Sequence, residues 1–202
     1  MCCCSDAWPP TNDKTNKTMK TPKNLILALS FMPLAVVAQE RYGTRNGNIS
    51  FFSETPVENI EAHNKKVSSV WDASSGAIQF AALIKAFEFE KALMQEHFNE
   101  NYMESNTHPK AEFKGKVEGI TADQVKTPGS YDVTVAGDLT IHGVTKQVSH
   151  PGKITVNPDG TVEATSEFIV KPEDHDIAIP GVVRKNIAEE ITVKVDMDYE
   201  KM

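Results

Sequence analysis

The sequence predicts an all-β protein, either an antiparallel sandwich or an up-and-down barrel. Three observations lead to this fold class: apolar and polar residues alternate with a period of two beyond Gln39, turn-forming residues separate these runs, and a single stretch is rich in helix formers. Closure of the sheet is favourable because it removes the free edges on which other chains aggregate. A barrel of about eight strands encloses room for side chains or for one small ligand.

The clearest strands are three segments in the second half of the chain. Their apolar residues occupy alternate positions, which is typical of antiparallel strands with one buried and one solvated face. The residues expected on the buried face are Val133, Val135, Leu139 and Ile141; Val162, Ala164 and Phe168; and Ile191, Val193, Val195, Met197 and Tyr199.

Weaker alternation predicts five further strands, and turn chemistry separates them. The strands are expected at 49–53, 67–71, 77–84, 113–120 and 144–156. The turn signals are Ser75-Gly76, Pro128-Gly129 and Pro158-Asp159-Gly160, and Asn46-Gly47 predicts a hairpin.

One short helix is expected at 89–98 (FEKALMQEHF), where helix-forming residues predominate. Leu93, Met94 and Phe98 are its candidate inward residues.

Residues 1–38 are expected to direct export rather than to fold with the barrel. Lys20 and Lys23 precede an apolar run at 25–37, and small residues precede Gln39, an order typical of a secretory signal peptide. The apolar run is about half as long as a membrane span, and no cysteine lies at the cleavage point, so no stable membrane anchor is expected. The predicted organisation is an extension at 1–18 that is not part of the native protein, a signal peptide at 19–38 and one domain at 39–202.

Charge and cysteine usage exclude several classes of function. The net charge of −7 gives no basic surface with which to neutralise the phosphates of a nucleic acid. The three cysteines are Cys2, Cys3 and Cys4, so the predicted domain contains no disulfide, no zinc-thiolate site and no cysteine nucleophile.

The histidines do not form a recognisable catalytic or metal-binding motif. His97 and Glu100 share a helical spacing, but a single such pair favours ordinary packing or capping over metal ligation. His142 precedes Gly143 and is interpreted as a turn residue, while His175, among acidic neighbours, is expected in a solvated loop. Nucleophile-elbow and phosphate-loop motifs are lacking. The prediction is therefore no catalytic residue, no metal and no cofactor.

Eight of the nine phenylalanines lie in the predicted strands or beside the helix. They either fill a solid core, as most phenylalanines do, or line a cavity. Periodicity alone favours the solid core.

Three segments, in this order and spacing, resemble the YceI-like family. Residues 137–146 (GDLTIHGVTK) resemble its signature segment, and residues 108–115 (HPKAEFKG) resemble its strand opening with proline followed by phenylalanine. Residues 87–105 resemble its helical insertion, which ends here in the aromatic pair Phe98 and Tyr102. The sequence departs from the family pattern at 41–51 and 169–177, where a polar ligand head would be held.

The resemblance implies an eight-stranded antiparallel lipocalin-like barrel, exported to the periplasm, with one short helical insertion and an apolar cavity. It favours a cavity over a solid core, and the expected ligand is a polyisoprenoid or another apolar-tailed, quinone-like lipid. Whether the barrel forms a homodimer is left open. The candidate ligand-binding residues are Phe51, Phe80, Phe98, Phe113, Leu139, Ile141, Phe168 and Val195.

Two alternatives to a carrier stay open at this stage. One is an enzyme that acts on a lipid-like substrate in the same cavity, with His97 and either Glu96 or Glu100 as its acid–base pair. The other is a stress-related or structural barrel without a ligand.

Overall fold

The computed structural model describes residues 40–202, in which the alternating segments form antiparallel strands. The strands are β1 (Arg41–Glu54), β2 (Asn59–Asp72), β3 (Ala77–Leu83), β4 (Glu88–Phe89), β5 (Lys110–Glu118), β6 (Gly129–Ile141), β7 (Val144–Val156), β8 (Val162–Val170) and β9 (Ile191–Lys201). Within the described residues, no helix is long and apolar enough to cross a membrane.

Eight of these strands close into a barrel with up-and-down connections. Each pairs antiparallel with the next along the chain, and β1 pairs with both β2 and β9, which closes the ring. The two-residue strand β4 pairs with β2 at Ala62 and His63, on the edge of β2 beyond its pairing with β3. The predicted eight-stranded antiparallel barrel is confirmed.

The first two strands are longer than their alternation indicates, with 14 residues each. The hairpin predicted at Asn46-Gly47 is wrong, because both residues lie inside β1 at a bulge where its register with β2 and β9 shifts. A bulge bends a long strand, as closure of a barrel requires. The turns predicted at Ser75-Gly76 and 158–160 are present.

Strands β5 and β6 approach closely at two glycines that face each other, Gly115 and Gly137. A Cβ on Gly137 would overlap the Cα of Gly115, and a Cβ on Gly115 would lie 2.6 Å from Cζ of Phe113. The ring of Phe113 therefore lies over Gly115 and takes the space of its missing side chain.

One half of the barrel, which we call the packed half, has an aromatic and aliphatic core. Trp71 is 1% exposed and lies between Tyr42 and Tyr199, with ring centroids 5.5 and 6.3 Å away. Val162 and Met197 are equally buried beside them. Burial of each such side chain contributes about 1.5–3 kcal/mol, so this half supplies much of the barrel's stability.

The helical insertion connects β3 to β5. It consists of a 3-10 turn at Ile84–Ala86, β4, the helix α1 (Ala92–His97) and a π-helical turn at Phe98–Tyr102.

Helix α1 begins later than predicted, because Phe89 pairs in β4. Met94 and Phe98 lie four residues apart on its inner face and are half-buried, whereas Leu93 is 61% exposed. The inward assignment of Leu93 is wrong, since one residue turns the helix by about 100°.

Candidate ligand cavity

The half of the barrel opposite the packed half encloses a cavity of about 310 Å³. Its wall is built from the inward face of seven barrel strands, from the helical insertion and from the loop that follows β8. Most of the lining side chains are aliphatic or aromatic; those of the strands and the 3-10 turn are Ile49, Phe51, Ser53, Ile60, Phe80, Ala82, Ile84, Ala111, Leu139, Ile141, Phe168, Val170, Ile191 and Val193.

All eight predicted ligand-binding residues border one of two voids inside the barrel, seven of them from strands and Phe98 from the helical insertion. Six of them border the cavity: Phe51, Phe80, Phe98, Leu139, Ile141 and Phe168. The other two, Phe113 and Val195, border a second void of about 60 Å³, which Trp71 and Tyr199 of the packed half also border. Their contact with a ligand stays a prediction.

Three side chains form a partition between the two cavities, since Phe80, Leu139 and Phe168 border both. The Phe80 ring stacks on Phe113 with centroids 5.2 Å apart, and His150 stacks on Phe168 at 4.4 Å. These contacts are made by side chains, so the partition can move without any change in the strands.

His150 is a half-buried polar residue that borders the smaller void. Burial lowers the pKa of its imidazole below the usual 6.5, so the ring is neutral at neutral pH. Its Nε2 atom is buried and has no hydrogen-bond partner among the described residues. Sequence reasoning missed this residue because its alternating position on β7 gave no sign of its stacking on Phe168.

The helical insertion is held to the barrel by four phenylalanines, which we call the phenyl cluster. Phe98, from the π-helical turn, lies 5.4 Å from Phe51 of β1 and 5.0 Å from Phe89 of β4 (centroid distances). Phe87 completes the cluster, 5.5 Å from Phe51. Aromatic pairs at such distances contribute about 0.5–1.5 kcal/mol beyond their buried area, so the cluster fixes the insertion over the cavity.

A second cover is the loop between β8 and β9, residues 171–190, which we call the late loop. Its aliphatic side chains, Ile177, Ile179, Val183 and Ile187, line the cavity. The Ser53 hydroxyl accepts a hydrogen bond from the Ala188 amide at 2.8 Å, which ties the late loop to β1. Sequence reasoning missed these residues because the loop has no regular period.

Glu58, between β1 and β2, joins the two covers. Its Oε1 accepts a hydrogen bond from Lys91 at the start of α1, and its Oε2 accepts one from Asn186 of the late loop, both at 3.1 Å. These two bonds hold the pKa of the Glu58 carboxyl below its usual 4.5, so it is ionised at neutral pH. We call this arrangement the Glu58 clasp.

Few polar side chains border the cavity besides the Glu58 clasp and Ser53. His97 is exposed and Tyr102 is half-buried, and both lie on the helical insertion. In the part of the chain that the structure describes, no carboxylate lies within 4.0 Å of His97 to form an acid–base pair. The cavity is therefore suited to an apolar body with a polar group at its mouth.

A family model described as YceI-like domain matches residues 37–199, which include the barrel strands up to the last two residues of β9. The chain belongs to the YceI-like family. Comparison with curated proteins finds no significant match.

Solved structures with the same fold include other YceI-like proteins and a polyisoprenoid-binding domain. That domain, from Saccharophagus degradans and implicated in plant cell wall breakdown, has a TM-score of 0.70 and 12% identity, over 81% of this chain and 99% of the other. Burkholderia cenocepacia BcnA has a TM-score of 0.63 and 17% identity, over 76% and 96%. A Campylobacter jejuni YceI protein has a TM-score of 0.57 and 17% identity, over 74% and 88%.

The family's signature segment, as it occurs in this YceI-like chain, runs from β6 into β7. Gly137 permits the close approach to β5, Leu139 and Ile141 border the cavity, and His142-Gly143 forms the turn. His142 is a turn residue as predicted, with a φ of 52°, but its hydrogen bond is not local: Nδ1 lies 3.2 Å from the carbonyl oxygen of His175.

The expectation that His175 lies in a solvated loop is wrong. The residue is 3% exposed, and its Nδ1 lies 3.2 Å from the carbonyl oxygen of Val144 in β7. The acidic residues around it in sequence, Glu173, Asp174 and Asp176, lie on or beside a 3-10 turn whose buried residue is His175.

Proposed function

We propose that this protein binds a molecule with a polyisoprenoid tail, or another lipid of the same character, inside its barrel. The observation that carries the proposal is the 310 Å³ apolar cavity at one end of a closed barrel. Ligand pockets in proteins begin at about this volume. The similar fold of the S. degradans domain, a polyisoprenoid-binding domain, supports the same ligand class.

Burial of apolar area would supply most of the affinity. An isoprenoid tail has no hydrogen bonds to satisfy, and about 400 Å² of it removed from water gives on the order of 10 kcal/mol before the costs of association. That is sufficient for a carrier without any polar contact.

The mouth of the cavity would select the head of the ligand. His97 and Tyr102 offer an imidazole and a phenol on the helical insertion, next to the cavity. Both groups can form hydrogen bonds to the carbonyl or hydroxyl oxygens of a quinone-like head.

The partition would set the length of tail that enters. A short tail fits the main cavity, whereas a longer one must displace Phe80, Leu139 or Phe168 to reach the second void. Beyond the partition the tail would meet Phe113 and Val195.

Export to the periplasm is part of the proposal. It rests on the predicted signal peptide at 19–38, which lies outside the described residues. Cell fractionation and sequencing of the N-terminus test it. A periplasmic protein that starts at Gln39 supports export with cleavage, whereas a cytoplasmic protein that still carries residues 1–38 contradicts it.

A substitution that fills the cavity tests the binding proposal. Ile141→Trp adds a large side chain at the cavity wall, and we expect loss of binding of a fluorescent prenyl lipid at a folding cost of about 1–3 kcal/mol. Thr134→Trp, on the exposed face of the same strand, is the matched control and should bind normally. Equal binding by both variants contradicts the proposal, provided that circular dichroism shows both to be folded.

The alternative of an enzyme in the same cavity rests on His97, which does border it. The variant His97→Ala separates the two functions. In a carrier, the variant should lose at most the contact to the ligand head. In an enzyme that uses this imidazole, the variant should still bind the lipid but no longer convert it.

A further inference from the structure

We infer that Glu104, His108 and His142 form a binding site for a divalent transition metal ion of the Zn²⁺ type. Each offers one ligand atom, and these atoms all lie within 4.8 Å of one another. The site is distinct from the proposed lipid cavity and does not depend on the binding of a lipid.

Two local structures bring these side chains together. The carbonyl oxygen of Glu104 accepts the amides of Thr107 and His108, at 2.7 and 2.9 Å, in a turn that places Glu104 and His108 side by side. His142 comes from the turn between β6 and β7, and its ring centroid lies 4.5 Å from that of His108.

The close approach of the two imidazoles depends on Gly143. Its φ of +77° disfavours other residues, and a Cβ at this position would lie 2.8 Å from Cε1 of His108. The turn therefore leaves room for His108 against His142. Both His142 and Glu104 also have positive φ values, 52° and 42°, and such conformations in non-glycine residues are enriched at functional sites.

The hydrogen bonds of His142 prepare one ring nitrogen to bind a metal. Its Nδ1 lies 3.2 Å from the carbonyl oxygen of His175, so this nitrogen carries the proton and the lone pair is on Nε2. Metal-binding histidines almost always donate their other ring N–H to such a carbonyl or a carboxylate. His175 is itself fixed, because its Nδ1 lies 3.2 Å from the Val144 carbonyl.

The Nε2 atom of His142 has no partner otherwise. It is buried and makes no hydrogen bond among the described residues, and the nearest carboxylate oxygen, Oε2 of Glu104, is 3.9 Å away. A buried lone pair without a partner is costly, and a cation between His142 and Glu104 would satisfy it.

The donor set fits Zn²⁺ and similar ions. Two imidazoles and one carboxylate bind Zn²⁺ at about 2.0–2.2 Å, which puts the ligand atoms about 3.3 Å apart in a tetrahedral site. Side-chain rotation can close the remaining distance, since Glu104 is 55% exposed. A fourth position would be left for water or for an oxygen atom of another molecule.

The site lies at the rim of the lipid cavity. Met103 and Ile141, the chain neighbours of Glu104 and His142, both border that cavity. Topology alone creates this proximity, because the loop before β5 and the β6–β7 turn are far apart in sequence. For this reason the sequence predicted no metal.

A zinc titration of the full chain tests the inference. Because Cys2, Cys3 and Cys4 would bind zinc themselves, the experiment uses the full chain with all three replaced by serine. In competition with a chromophoric chelator, we expect one Zn²⁺ per chain. His108→Ala and His142→Asn should each weaken zinc binding by at least about 100-fold. Loss of an outer-shell partner already costs up to about 100-fold in metal affinity, and loss of a direct ligand should cost at least as much. Asparagine is chosen at position 142 because it tolerates a positive φ.

His63→Ala is the matched control. His63 also contacts a carboxylate, with its Nε2 2.7 Å from Oε1 of Glu61, but lies on the outer surface and outside the cluster. Unchanged zinc binding in this variant, and a visible spectrum of bound Co²⁺ that disappears in His108→Ala, would support the site. Absence of binding in the cysteine-free chain, or equal loss in His63→Ala, would overturn it.

Discussion

Tyr199 anchors the packed half of the barrel through a short chain of hydrogen bonds. The Tyr199 hydroxyl lies 2.6 Å from Oγ of Ser69. The Ser69 hydroxyl in turn donates to the carbonyl oxygen of Gln79 at 3.1 Å. The Tyr199 hydroxyl therefore donates to Ser69. Burial raises the pKa of Tyr199 to about 12.

The raised pKa makes the stability of the barrel sensitive to alkaline pH. The unfolded tyrosine ionises near 10.0, so the contribution of Tyr199 is intact below that pH and is lost as the pH rises towards 12. Urea unfolding should show a loss of about 1 kcal/mol from this group by about pH 11. Tyr199→Phe has nothing to ionise at this position and should lack that loss; the same alkaline slope in both proteins would contradict the assignment.

Single residues also show where sequence reasoning reaches its limit. The inward orientation of Leu139 and Phe168 follows from alternation, because a strand has only two faces. The burial of His175 does not follow, since the carbonyl that holds it belongs to β7, 31 residues earlier. His108 and His142 likewise come together only once β5, β6 and β7 are paired.

At the scale of elements, the two covers of the cavity are attached in different ways. The helical insertion is held mainly by the phenyl cluster, whereas the late loop is held by hydrogen bonds to Ser53 and Glu58. Glu58 makes hydrogen bonds to both covers. Hydrogen bonds near the surface open more readily than a buried aromatic cluster, so the late loop is the expected route of ligand entry.

Removal of the clasp should loosen the late loop. Glu58→Ala deletes the acceptor of Asn186 and Lys91, and we expect severalfold faster hydrogen exchange at the Ala188 amide, which bonds to Ser53 next to the clasp. Glu54→Ala, an exposed carboxylate at the end of β1, is the control and should leave this exchange unchanged.

The clasp should also depend on pH. Because the pKa of Glu58 is lowered in the folded protein, its contribution is present above pH 4.5 and is lost as the pH falls through the lowered value. The protection factor of Ala188 should fall in that range in the native protein and not in Glu58→Ala. Equal protection of Ala188 in both proteins at neutral pH would contradict the role of the clasp.

The elements were predictable to different degrees for physical reasons. Strands β6, β8 and β9 have one wet and one dry face, so their period of two is visible in the sequence. The late loop lacks such a period, because its aliphatic residues reach the cavity from an irregular backbone. Asn46-Gly47 predicts a hairpin by local chemistry, but pairing of β1 with both β2 and β9 overrides this preference and leaves a bulge.

At the scale of the whole molecule, the barrel is divided into two halves of different character. Trp71, Tyr42 and Tyr199 pack together in one half, while the other keeps a cavity of about 310 Å³. A single core of this kind would be more stable if it were filled throughout, since a void forfeits contacts. The open half is therefore the feature of the barrel that points to a ligand.

Composition and periodicity alone favoured a solid core, and only the resemblance to the YceI-like family favoured a cavity. The physical reason is that alternation reveals which side chains point inward but not whether they meet. Phe80 and Phe113 do meet, by stacking, whereas Ile141 lines the open cavity.

The most direct test of a lipid carrier is to identify the lipid that co-purifies with the protein from the cell. The full chain, expressed in a bacterium with a periplasm and purified without detergent, is extracted with organic solvent and the extract is analysed by mass spectrometry. We predict close to one molecule of a prenyl-tailed lipid per chain. A protein that yields no lipid, and that also takes up no added prenyl lipid, would contradict the account.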